Sequence, residues 1–118
     1  MILAQLAAAA LIVNVATGPV TDPTKLPSAQ KTAALAPLVR AATECIARSV
    51  GADPRLGHGN LGDLIVDSMP RCVTPVRAMI DGYDRYFGDG EGEAFFMGPY
   101  LDLLPAAVGK WVRDAASK

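Results

Sequence analysis

The chain has no charged side chain before Asp22, no aromatic side chain before Tyr83, a single histidine and only two cysteines. Each scarcity removes a class of function. A zinc-type site needs three or four nitrogen or sulfur ligands, and His58 with Cys45 and Cys72 supplies too few once the cysteines are oxidised. No G-x-S-x-G elbow, no H-E-x-x-H and no dinucleotide-binding glycine pattern occurs, so hydrolase, zincin and nucleotide-cofactor chemistry lack their usual carriers. No cofactor is expected. Eleven basic and twelve acidic residues leave a net charge of −1 with no block of one sign. That excludes the basic face on which nucleic-acid affinity rests, and the polybasic patch that attracts anionic lipid. Long period-two alternation is absent, and with it the signal for a sheet.

No apolar run is long enough to span a bilayer. The longest, Met1–Val13 (MILAQLAAAALIV), reaches about 20 Å as a helix against roughly 30 Å of hydrocarbon. Its length fits the core of a signal peptide. Two features depart from that pattern: no Lys or Arg precedes the run, and Asn14 stands three places before the best cleavage point, after Ala16. Residues 1–17 are therefore assigned as a signal peptide or N-terminal apolar helix, residues 18–27 (GPVTDPTKLP) as a proline-rich linker and residues 28–118 as one helical domain. The expected compartment is periplasmic or secreted, the alternative being attachment to a membrane through residues 1–16.

What is present is helical periodicity. Leu35, Leu38, Val39, Ala42, Cys45, Ile46 and Val50 recur at intervals of three and four, with Ser28 as the expected N-cap and Gly51 as the expected left-handed stop. Arg40, Glu44 and Arg48 stand in an i, i+4 ladder on the other side. After the loop DPRLGHGN, Asn60 caps a second helix carrying Leu61, Leu64, Ile65 and Met69 inward. Thr74-Pro75 reads as the start of a third, with Val76, Met79, Ile80, Tyr83 and Phe87 inward. The glycine loop beginning at Gly88 breaks it; Ala94–Met97 is a candidate short extended piece, and Pro105 opens a last helix with Val108, Trp111 and Val112. The fold class is all-α: a small bundle of three to five short helices. Cys45 and Cys72 both fall on apolar stripes, and a disulfide between them is expected. Closing that loop of about 28 residues stabilises a small domain by roughly 3 to 4 kcal/mol in the chain-entropy model.

Four groups are candidates for function. Asp89, Glu91 and Glu93 alternate with glycines and offer three oxygen ligands to a hard cation, yet Ala94 and Tyr100 occupy the positions where an EF-hand loop needs glycine and glutamate. His58, between two glycines, reads as a solvent-facing loop residue. Asp63 with Asp67, and Asp81 with Asp84, share helix faces but point outward, where carboxylates stay solvated. The seven aromatics all lie in the last 36 residues. Most belong to the core, but helical geometry cannot place them all inside, and Tyr86, Phe96 and Tyr100 are the expected contact surface for a protein partner or small apolar ligand. The leading expectation is an exported, non-enzymatic accessory or binding domain. The alternatives are a small metal-dependent or hydrolase-like enzyme built on the acidic glycine loop, and a membrane-anchored envelope module.

Overall fold

The computed structural model describes residues 22–117, and the expected signal or anchor segment lies outside them. The described residues form helices and turns, with no strand among them. Three long helices, α1 (Ser28–Gly51), α3 (Val73–Phe87) and α5 (Leu101–Ala116), are joined by the short α2 (Leu61–Ser68) and α4 (Glu91–Phe95). Ahead of α1, a single 3-10 turn at Pro23–Lys25 packs on α3, so the end of the expected linker is part of the domain. Asp22 fixes that turn by accepting the backbone N–H of Thr24 at 2.9 Å and its hydroxyl at 2.7 Å.

The apolar stripe of α1 does what its spacing demands. Leu35, Ala42, Ile46 and Val50 are buried, and α2, α3 and α5 all pack against it. Its ends differ from expectation. Pro27 occupies the cap position, so Ser28 is the first helical residue. Gly51 stays helical; Ala52 caps the end in a right-handed conformation, its N–H bonded to the carbonyl of Arg48. Pro54, which disfavours helix in the residue before it, ends the helix without a left-handed glycine. Pro37 sits inside α1 on its exposed face, where the carbonyl of Ala33 that it leaves unpaired faces water.

Asn60 caps α2 as the sequence indicates, its side chain accepting the N–H of Asp63. A 3-10 turn, Met69–Cys72, carries the chain directly into α3, which begins at Val73 rather than at a Thr74 cap. The core draws Leu64 and Ile65 from α2, Val76 and Met79 from α3, and Leu104 and Val108 from α5. Ser68, a wholly buried polar side chain, donates to the carbonyl of Ile65 at 2.7 Å.

Cys45 and Cys72 are bonded, with Cα atoms 5.8 Å apart. The bridge ties the middle of α1 to the joint between α2 and α3, and no free cysteine remains among the described residues.

The glycine loop is shorter than its composition suggests. Gly88 (φ 117°) and Gly90 (φ 90°) take left-handed conformations that end α3, and helix resumes at Glu91. The carboxylate of Asp84, one turn before the end of α3, accepts the N–H of Gly92 at 2.8 Å and so caps α4 from the preceding helix. Ala94–Met97 is helical, not extended. A π-helical turn, Phe96–Tyr100, joins α4 to α5, and Pro105 lies within α5 instead of opening it.

Candidate functional site

Five of the seven aromatic residues form one connected series of ring contacts. Tyr83 lies face to face with Phe95, with centroids 4.0 Å apart and planes 11° from parallel. Phe87 stacks on the other end of Tyr83 at 5.4 Å, with the Lys31 ammonium 4.7 Å above its ring. Phe95 continues to Tyr100 at 5.6 Å, and Tyr100 to Phe96 at 6.0 Å. The three expected contact residues do not share a surface. Tyr100 is wholly buried, which corrects its assignment as a contact residue. The wide π turn rotates it under α1, where its hydroxyl meets that of Thr43 at 2.8 Å while Thr43 also donates to the carbonyl of Val39. Burial pushes the Tyr100 phenol above its ordinary pKa, against a smaller opposing effect of the Thr43 hydrogen bond. Phe96 is half-buried in a shallow cleft with Met69, Val73, Val76 and Ile80, and Tyr86 is half-buried outside that cleft. Tyr100→Phe is expected to cost about 1 kcal/mol of stability, because the half-buried Thr43 oxygen loses one partner and keeps another; chemical denaturation measures this.

A different apolar surface lies along α1 and α5. A groove of about 530 Å³ runs along their seam. Leu35, Ala36 and Val39 of α1 form one wall, Leu103, Ala107 and Trp111 of α5 the other, and the stacked pair Tyr83 and Phe95 the floor. Leu103 is 42% exposed. The volume is in the range of small-ligand sites, and the predominance of apolar lining with few polar groups is their usual chemistry. Arg40 and Glu44 stand at the rim, one helical turn apart. They make no ion pair, and the expected ladder through Arg48 is absent at bonding distance; the ion pairs among the described residues join Arg55 to Asp53 and Asp67, and Lys110 to Asp114.

Beyond Trp111 the same seam opens again, between Gly51 and Ala52 of α1 and Val112 and Ala115 of α5, with Leu56 and Arg48 at its border. Past Arg48 lies a polar cleft of about 740 Å³ bounded by Arg48, Arg55 and Arg71, with Asp53 and Asp67. The guanidinium of Arg55 is held at 2.8 Å by Asp53 and 2.9 Å by Asp67. The side-chain bond from Arg55 to Asp53, then the backbone N–H of Arg55, lower the Asp53 pKa to about 2. Arg48 and Arg71 make no ion pair with a described residue.

The other candidates resolve simply. Asp89, Glu91 and Glu93 do not converge: no group of three or more metal-ligating side chains comes together among the described residues. Glu91 and Glu93 are in the first turn of α4, where they favour the helix's positive end. His58 is exposed in its loop. Asp67 serves Arg55, and Asp84 caps α4. No helix among the described residues is long and apolar enough to cross a membrane. Comparison with protein-family models, with curated proteins and with solved structures finds no match.

Proposed function

We propose that the protein is a small exported binding domain whose α1–α5 groove takes up an apolar ligand. The observation that carries this reading is the lining itself: an open, mostly apolar channel floored by two stacked aromatic rings. A helical seam left empty in this way forgoes burial worth about 25 cal/mol per Å², which an apolar occupant restores. Export is supported by the disulfide, since such bridges persist in oxidising compartments, and by the uncharged apolar N-terminal run.

The sole tryptophan, Trp111, lies in the groove wall and reports on it directly. The neutral fluorophore N-phenyl-1-naphthylamine is expected to bind and quench Trp111 by energy transfer. Ala36→Phe, which fills the groove from the exposed side of α1 and leaves Trp111 the sole tryptophan, should weaken this at least about tenfold, a loss of roughly 1.4 kcal/mol of binding free energy, with little change in melting temperature. No uptake by the native protein, or equal uptake by the filled variant, refutes the proposal.

A further inference from the structure

The groove, the second opening and the terminal cleft adjoin one another. Trp111 borders the first two and Arg48 the last two, so the three follow one another along the face of α1 that runs from Thr32 to Arg48. At 1.5 Å per residue this path is about 24 Å long. It is apolar for most of its length and cationic at one end. At the rim of the groove, Arg40 and Glu44 offset each other. In the terminal cleft, the guanidiniums of Arg48, Arg55 and Arg71 face the carboxylates of Asp53 and Asp67, which leaves one unbalanced positive charge. Arg55 has its donors engaged by those carboxylates, so the excess resides on Arg48 and Arg71.

Resting on the apolar-ligand reading of the groove, we infer that the ligand is a single-chain amphiphile with a carboxylate head, its chain along the α1–α5 seam and its head at Arg48 and Arg71. Complementarity of charge and shape selects this class. A neutral chain leaves the two arginines unused, whereas a monoanionic carboxylate matches both the excess charge and the fork of guanidinium donors. A multiply charged head exceeds what the cleft balances.

The test compares dodecanoate with dodecanol on the full-length protein at pH 8, below the concentrations at which either aggregates, by Trp111 fluorescence and calorimetry. Dodecanoate is expected to bind about tenfold to a hundredfold more tightly, the range for hydrogen bonds to charged groups. The advantage should shrink as salt is raised, because the cleft is open to solvent. In R48Q/R71Q, both positions being exposed and outside the core, the ratio of the two affinities should fall below about twofold. Equal affinities in the native protein overturn the inference while leaving the apolar groove standing. So does a preference that survives in R48Q/R71Q, or one that is abolished by R40Q instead. Failure of both compounds to bind removes the groove proposal and this one together.

Discussion

Gly92→Ala is expected to destabilise the domain by more than about 3 kcal/mol and to lower its melting temperature by roughly 12 to 24 °C. A Cβ added at Gly92 would stand 2.0 Å from the carbonyl oxygen of Ile80 and 2.7 Å from its carbon. Those are backbone atoms in the middle of α3, with no rotamer to change. α4 must lift away from α3, breaking the Asp84 cap and unstacking Phe95 from Tyr83 as it goes. Gly82 provides the contrast. A Cβ there meets the tips of Leu38 and Leu35 at 2.6 and 3.0 Å, and flexible side-chain ends can yield. Gly82→Ala should therefore cost less than Gly92→Ala. Thermal melts followed by circular dichroism measure both, and a Gly92→Ala protein that melts within about 3 °C of the native one would refute the close approach of α4 to α3. Because Phe95 forms part of the groove floor, the same variant should also lose uptake of the neutral fluorophore.

The second large effect belongs to the disulfide. Replacing both cysteines by alanine, or reducing the bridge, is expected to remove about 3.5 kcal/mol, the chain-entropy value for a loop of this size. That is a large share of the roughly 5 to 15 kcal/mol that holds a domain of this length together. Alanine is the appropriate replacement because Cys72 is wholly buried and a serine hydroxyl there would add a desolvation cost. Denaturant titration with and without reductant gives the difference. A midpoint that does not respond to reductant would show that the cross-link contributes nothing to stability. Full alkylation of both thiols in protein taken from its native location would contradict the exported reading.

How much of this was legible in the residues depends on the range of the interaction involved. The stripe of α1 and the Asn60 cap of α2 are local, set by spacing and by one side chain reaching three residues ahead, and the structure repeats them. The disulfide was legible because two cysteines on apolar stripes have few other fates in an exported chain. The boundaries between α3 and α5 were not. Helix resumes at Glu91 because Asp84, eight residues earlier, caps Gly92, and nothing in the glycine-rich stretch itself announces a partner on the preceding helix. Tyr100 illustrates the same limit at longer reach. Its place under Thr43 depends on a π turn that alters the angular register between Phe96 and α5, and on a hydroxyl 57 positions away. The candidate site lay deeper still. Tyr83 and Trp111 read as inward by periodicity and Phe95 fell in the candidate extended piece; all three are half-buried, and only the packing of α1 on α5 turns their uncovered sides into a groove. Arg48 and Arg71 read as ordinary solvated charges because the carboxylates that occupy Arg55 come from separate places, Asp53 in the loop after α1 and Asp67 on α2.

The central position of α1 sets the timetable of the molecule's manufacture. It is among the first parts of the domain to leave the ribosome, yet Leu104 and Val108, which cover its last flank, follow about fifty residues later. At typical translation speeds that interval is roughly 3 to 10 s, far longer than a helix needs to form. Until α2 and α3 follow it out, a nascent amphipathic rod has a greasy side and nothing to lay it against, and its α5-facing flank stays bare for the whole interval. A polypeptide wired in this way cannot finish folding before the residues that close its core emerge, so its synthesis and its final packing end together.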